Sequence, residues 1–362
     1  MKVAIMGAGL AGLSCAVTLE KFGITPHVFE KRGQVGDRFV MSELILSMMH
    51  PPIKDSIRYL AEEHQLYIRP VSNLSTLWIH SPNESVAIRG NLGFINVRGK
   101  HPDAFEKQLA SDLKVPITFH SENSYEKLLR EYTHIILATG DAAYTEKIQQ
   151  LDVAYTTTLR GMTVSGTFKR TEGQAWFDNR FAPKGMGYLL PFSDTKAMLV
   201  LAYPEYPEIK ALDEEKLWKT FIHTAKNTLN QKLEVVDSFH INNYIVGKSG
   251  HARIGNTFFT GNCFGGIMPF MGFGQFESML TGIYAAYDLA GKGNYDDLTA
   301  PLKESYRLSL TLRHAIEQLD NAGLDKLVRS LKNPAAQKIL LNDKLHSLKW
   351  AARFVRMGQF LN

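Results

Sequence analysis

The sequence predicts an α/β fold: a Rossmann-type nucleotide-binding domain, an inserted, mainly antiparallel β-sheet domain, and a C-terminal helical region. Three observations carry this. A strand, a glycine-rich turn, a helix and a second strand follow one another within residues 1–30. Residues 155–250 read mostly as short β-rich runs, interrupted by one helical pattern. Residues 301–362 repeat apolar side chains at three- and four-residue steps.

The first unit begins with Lys2–Met6, an apolar run of β-formers, followed at once by Gly7-Ala-Gly9-Leu10-Ala11-Gly12. Leu13, Ala16, Val17 and Leu19 continue with helical spacing, Gly23 ends the helix, and Ile24–Glu30 forms the next strand. Gly7 permits a tight turn, Gly9 lets a pyrophosphate approach the backbone, and Gly12 lets the helix pack closely on the strand. The helix N-terminus offers free N–H groups to phosphate. Glu30, followed by Lys31, stands 18 residues after Gly12, where a carboxylate can accept both hydroxyls of an adenosine ribose. NAD and FAD sites share this unit.

Further along, Asn96–Arg98 is a strand end ahead of a helix opening near Asp103, and Val115–His120 is another strand. Tyr132–Asp141 is a buried strand ending in Ala138-Thr139-Gly140, small residues that let a cofactor approach. A second glycine-rich stretch covers residues 254–286: a strand, the Gly261-Asn262 loop, then Pro269 and Gly272-Phe273-Gly274 ahead of a helix over Gln275–Leu289. That helix has small residues on one face (Gly282, Ala285, Ala286), and its positive end suits the negative edge of a reduced flavin.

These residues resemble the FAD-dependent oxidoreductases of the p-hydroxybenzoate-hydroxylase fold, and are most similar to the geranylgeranyl-reductase-like branch. The resemblance rests on Gly7, Gly9 and Gly12 with Glu30, the strand-end Arg98, Ala138–Gly140, Gly261-Asn262, and Pro269 with Gly272 and Gly274. It covers about residues 1–145 and 250–290. More loosely, Gly187–Phe192 is similar to the aromatic–Pro segment that lines the substrate cavity of the reductase branch. The family usually has Asp where Asn262 stands, and the loop Gly33–Arg38 lacks the cysteine such reductases often place near the flavin. The resemblance implies FAD as cofactor, with Gly7, Gly9, Leu10, Ala11, Gly12, Glu30, Lys31, Arg38, Arg98, Ala138, Thr139, Gly140, Gly261, Asn262, Pro269, Gly272, Phe273 and Gly274 around it. NAD(P)H or another reductant would dock transiently, since there is no second glycine-rich nucleotide unit and no CxxxxC redox pair.

The strand-rich middle carries Phe168, Trp176, Phe177, Phe181, Tyr188 and Phe192. Any one of them can be ordinary core. As a group they suggest an apolar substrate wall, for which Trp176, Tyr188 and Phe192 are the candidates. Met41–Pro52, rich in Met and Leu, is a secondary candidate liner. The domain boundaries read as 1–70 with 96–150 and 250–300 for the FAD-binding domain, 71–95 with 151–249 for the substrate domain, and 301–362 for the C-terminal helices.

The composition excludes several classes. At roughly 150 residues per domain, 362 residues suggest about two domains. Hydrophobic residues at 44% and charged residues at 21% argue against disorder. The two cysteines, Cys15 and Cys263, build no disulfide framework, and the scattered histidines match no metal motif. No G-x-S-x-G elbow is present. With no run of 18 apolar residues, no membrane span is expected, and the cytoplasm is the expected location.

Three functions are compatible with this pattern. The first is hydride transfer between FAD and an apolar, isoprenoid- or lipid-like substrate. The second is a class A flavin monooxygenase hydroxylating an aromatic or quinone-like substrate. The third is a non-catalytic flavin-binding protein. No catalytic side chain is identified.

The formal charge of +5 is unevenly spread. Residues 326–362 hold eight bases and one acid, hence +7, and the remaining 325 residues carry −2. Leu341, Leu345, Leu348, Ala352 and Val355 form an apolar row flanked by Lys344, Lys349, Arg353 and Arg356. That pattern suits either a terminal helix packed on the domain or a helix lying on the anionic inner face of a membrane. No nucleic-acid recognition motif accompanies the charge.

Overall fold

The computed structural model describes residues 1–140 and 142–341. Its strands are β1 Val3–Met6, β2 His27–Phe29, β3 Met41–Leu46, β4 Ser72–His80, β5 Ser85–Arg98, β6 Ile117–Thr118, β7 His134–Leu137, β8 Leu151–Ser165, β9 Glu172–Trp176, β10 Met186–Pro191, β11 Lys196–Pro204, β12 Glu234–Ser249, β13 Arg253–Ile254 and β14 Thr257–Phe259. Its helices are α1 Leu10–Lys21, α2 Ser56–His64, α3 Phe105–Asp112, α4 Tyr125–Glu131, α5 Ala142–Glu146, α6 Pro207–Lys210, α7 Glu214–Leu229, α8 Gln275–Leu289, α9 Tyr295–Glu317, α10 Asn321–Ser330 and α11 Pro334–Leu340.

The first sheet runs β6–β2–β1–β7–β14, all parallel, with β13 antiparallel at the edge. All four residues of β1 are buried, as a central parallel strand covered on both faces requires. One face packs on α1 and α8 through Leu13, Ala16, Met279 and Ile283. The other packs through Leu128 of α4, with Phe259 and Cys263. Strand order reverses between β1 and β7, which opens a crevice at the carboxyl ends of these strands.

The second sheet has eight strands, β12–β8–β11–β10–β9–β4–β5–β3, antiparallel except for β4 beside β9. Helix α7, whose N-cap Asp213 accepts from the Lys216 N–H, covers one face with Leu217, Trp218, Phe221 and Ala225. Leu308, Leu312 and Ala315 of α9 and Val328 of α10 pack with Leu46, Leu74, Ile88 and Ile95. The antiparallel insertion follows the sequence reading, with a longer reach. Strand β3, read as part of the first 70 residues' nucleotide unit, is hydrogen-bonded into this sheet, and β5 runs on to Arg98. Residues 41–46 of the Met- and Leu-rich stretch 41–52 therefore form an edge strand of the sheet.

The C-terminal helices begin at Tyr295, where the Asn294 side chain accepts from the N–H groups of Asp296 and Asp297. Two bases of the tail are engaged within the molecule: Arg329 and Lys332 both pair with Glu84, at 2.8 and 2.7 Å. The apolar row beyond Leu341 and its flanking bases lie outside the described residues. Among the described residues no helix is long and apolar enough to cross a membrane.

Candidate functional site

The glycine turn after β1 is built as its residue types demand. Gly7 has φ +110°, and a Cβ there would lie 2.3 Å from the Ala138 carbonyl oxygen at the end of β7. A Cβ on Gly12 would lie 2.0 Å from the Gly7 carbonyl oxygen, so the first turn of α1 can sit on the strand end only with glycine. Gly9 differs: its Cβ direction is open, with no atom within 4 Å. This is the cradle that a phosphate approaching the N-terminus of α1 needs. Glu30 closes the turn by accepting from the Ala8 N–H at 2.8 Å and the Arg32 N–H at 2.9 Å, one on each oxygen. Each carboxylate oxygen keeps a further lone pair for a ribose hydroxyl.

A second set of backbone groups meets this turn. Gly140 (φ +70°) ends the loop after β7, and Gly261 (φ +58°) opens the loop after β14. The Asn262 amide ties them together, donating to the Gly140 carbonyl at 3.1 Å and to the Tyr244 hydroxyl at 2.8 Å. Helix α8 begins at Gln275 after Gly274, with no side-chain cap, so its first N–H groups are not claimed by a capping side chain. The Gln275 amide instead donates from its side chain to Glu43 of β3. A Cβ on Gly282 would lie 2.1 Å from the Ala11 carbonyl oxygen, so α1 and α8 pack backbone to backbone. Their N-terminal residues border the same cavity.

The cavity has a volume of about 890 Å³. Its nucleotide end is lined by Gly7, Gly9, Leu10, Ala11, Glu30, Lys31 and Arg38. Arg98, Ala138–Gly140, Gly261, Asn262 and Gly272–Gly274 continue the wall. Gly12 and Pro269 stand behind it. Gly12 supports the turn, and the Pro269 carbonyl accepts from the Tyr155 hydroxyl at 2.8 Å. Among the described residues Arg38 has no ion-pair partner. Burial, reinforced by the neighbouring Arg32 and Arg98, holds its pKa below the ordinary value, a setting that favours an anion. Arg98 is anchored: its Nε donates to Glu106 at 3.0 Å and its Nη1 lies 3.8 Å from Glu43. Burial opposes its charge, but the two carboxylates outweigh that and push its pKa up.

The rest of the cavity runs along the second sheet, past Leu44, Leu77, Ala175, Phe177, Tyr188 and Leu190. Of the three aromatic candidates only Tyr188 lines it. The pleat explains why. Ala175 pairs with Tyr188, so both face the cavity, whereas Trp176 points to the opposite face. There Trp176 is 2% exposed, packs edge-on against Phe221 of α7, and donates to the Thr228 hydroxyl at 3.3 Å. Phe192 lies beyond the end of β10, buried edge-on against His101. Phe168 and Phe181 belong to the same α7-facing core.

The stretch 41–52, a secondary candidate, lines the cavity through Met41, Glu43, Leu44 and Leu46; Tyr155, Tyr203, Tyr244 and, from α9, Arg313 and Glu317 had no signal in the sequence. They come from sheet register and from a helix more than a hundred residues away, so spacing does not reveal them. Away from the cavity, His50 pairs with Glu277 of α8 at 3.0 Å, both buried. Cys15 and Cys263 are fully buried thiols, the latter 3.2 Å from the Thr139 hydroxyl, and burial pushes both pKa values up.

Comparison with known proteins agrees with this geometry. Residues 1–178 match the family described as pyridine nucleotide-disulphide oxidoreductase. The matched stretch holds the glycine turn, Glu30, Arg98 and Ala138–Gly140, and one of the two cysteines, so a redox-active pair within it is absent. No curated protein matches the chain. A geranylgeranyl bacteriochlorophyll reductase-like protein from Thermoplasma acidophilum superposes with a TM-score of 0.73 at 15% identity, over 97% of this chain and 95% of its own. A flavin-dependent brominase gives 0.67 at 15% identity, over 98% of this chain and 97% of its own. Aklavinone-11 hydroxylase, in a ternary complex with FAD and aklavinone, gives 0.62 at 15% identity, over 90% of this chain and 70% of its own.

Proposed function

We propose that this chain, an FAD-dependent oxidoreductase, transfers hydride between FAD and an apolar, isoprenoid- or lipid-like substrate held against its second sheet. One observation carries the reading: a single cavity runs from the glycine turn and the two helix N-termini to a wall of aliphatic and aromatic side chains. FAD bound there would supply two-electron chemistry, giving or taking a hydride at the flavin ring.

The chain's own residues would do the rest. The Gly7–Gly12 turn and the α1 N-terminus would hold the pyrophosphate, with Arg38 as its unpaired cation, and Glu30 would hold the ribose. The N–H groups opening α8 would favour negative charge on the ring edge they face. Leu44, Leu77, Leu190 and Phe177 exclude water from the reacting end and orient an apolar substrate by contact area. NAD(P)H or another reductant would dock transiently.

The named neighbours support a second reading on the same site. A hydroxylase and a brominase share this fold, and the tyrosines of the cavity suit an aromatic or quinone-like substrate of a class A flavin monooxygenase.

The visible spectrum of the purified protein is the first test. A flavin spectrum, or its appearance on adding FAD, is expected; failure to take up FAD overturns the proposal. Mass spectrometry of extracted ligands then separates a lipid-like from an aromatic substrate. We further place the protein at an anionic membrane surface through its basic tail. Arg329 and Lys332 already pair with Glu84, so the bases further along should carry most of the vesicle binding, and deleting residues 338–362 should abolish it.

A further inference from the structure

The end of the cavity formed by α9 and the second sheet is not uniformly apolar. Away from the nucleotide-binding wall and Glu43, three ionisable side chains other than tyrosine border it among the described residues: Lys184, Arg313 and Glu317. Arg313 is nine-tenths buried. Its Nε donates to Glu317 at 2.5 Å, one Nη donates to the Lys184 carbonyl at 3.1 Å, and its flat face lies over the Tyr155 ring at 4.2 Å. Glu317 in turn accepts from the Tyr206 hydroxyl at 2.8 Å. The guanidinium is thus fixed on one edge and one face, lies beside the Tyr206 hydroxyl as well, and borders the cavity.

Lys184 adds an independent observation. It is a non-glycine residue at φ +56°, a conformation that costs energy and persists only when its surroundings enforce it. Here they do: the Asn179 side chain accepts from its N–H at 2.9 Å, and Arg313 holds its carbonyl. Its ammonium pairs with Glu208, itself mostly exposed, so that pairing is weak.

Arg313 is also linked to the loop where the flavin is expected. Tyr155, under its guanidinium, donates to the Pro269 carbonyl, and Ser309, one turn earlier on α9, accepts from the Phe270 N–H at 2.8 Å. Cofactor loop and cationic end are therefore fixed relative to each other by one helix.

Building on the apolar-substrate reading above, we propose that Arg313 and Lys184 form a head-group subsite, and that the substrate is amphipathic: an apolar body along the sheet with a carboxylate at this end. An amphipathic acid so held would present one fixed part of its chain to the reacting end of the cavity, giving regioselectivity along an otherwise featureless hydrocarbon.

The test uses FAD-loaded full-length protein and two probes of equal length, dodecanoic acid and 1-dodecanol, titrated by calorimetry and by the flavin absorbance shift. The acid is expected to bind about tenfold or more tighter than the alcohol, the range of a charge-assisted hydrogen bond. The charge-neutral pair Arg313→Gln with Glu317→Gln should remove that preference by weakening acid binding far more than alcohol binding. Lys184→Gln, at a more exposed side chain, should reduce it part-way. Equal binding of acid and alcohol overturns the head-group subsite but leaves the apolar cavity standing, as does a preference unaltered in both variants. Failure of both probes to bind overturns the apolar-substrate reading, and the subsite with it. A purely bracing role for Arg313 would weaken acid and alcohol alike, and that result also overturns the proposal.

Discussion

Gly282 of α8 rests on the carbonyl oxygen of Ala11 in α1, so close that a Cβ would come within 2.1 Å of it. This contact aligns the two helices whose N-terminal residues border the cavity. Replacing Gly282 by Val forces the helices apart. Overpacking of this kind costs about 1–3 kcal/mol, and the melting temperature of the apoprotein should fall by several degrees. FAD titration of the same variant should show weaker binding, because both sets of N–H groups move.

Two glycines of one turn should behave in opposite ways. Gly12→Ala places a Cβ 2.0 Å from the Gly7 carbonyl oxygen and should destabilise the protein even without cofactor. Gly9→Ala meets nothing within 4 Å, so apoprotein stability should barely change. Its added methyl stands where phosphate must approach, and FAD affinity should drop by about tenfold or more, roughly the worth of a lost charge-assisted hydrogen bond. Thermal melts with and without FAD read both effects in one experiment.

The aromatic residues divide by face. Trp176→Ala empties a core site against α7 and should cost about 3–5 kcal/mol in denaturant unfolding. Tyr188→Phe removes one hydroxyl at the cavity wall and should leave stability within about 1 kcal/mol. Any change in ligand binding should follow Tyr188 and not Trp176.

Acid sensitivity should contain a contribution from His64. Burial, with Lys21 nearby, lowers its pKa from 6.5 to about 4. The unfolded chain therefore binds a proton that the folded chain refuses between these values. Stability should fall as pH drops from about 6.5 towards about 4 and level off below. Allowing for solvent screening, the difference between pH 7 and pH 5 is about 1 kcal/mol. Urea unfolding at the two pH values should show this extra loss in the wild type and not in His64→Gln.

What the sequence disclosed, and what it hid, follows from the range of each interaction. The glycine turn, Glu30 and the start of α8 are set by local backbone geometry, so the residue types at fixed spacing announce them. Asp213 capping α7 is local in the same way. Trp176 misled because alternation tells which residues share a face but not which face meets the cavity; that is decided by pairing with β10 and by the position of α7. Strand β3 was assigned with the nucleotide-binding residues because its partner, β5, lies some fifty residues away. Arg313 and Glu317 reach the cavity only because α9 folds back across the second sheet, and nothing in their own neighbourhood marks them.

The polypeptide passes from one sheet to the other four times, between β2 and β3, β5 and β6, β7 and β8, and β12 and β13. Four stretches of covalent chain stitch the halves together, so neither sheet is built from one continuous piece of sequence. The first crossing borders the cavity through Gln34 and Gly36–Phe39, and stacking of Phe39 on Phe239 at 4.0 Å clasps it to β12, the opposite edge of the second sheet from the strand it leads into.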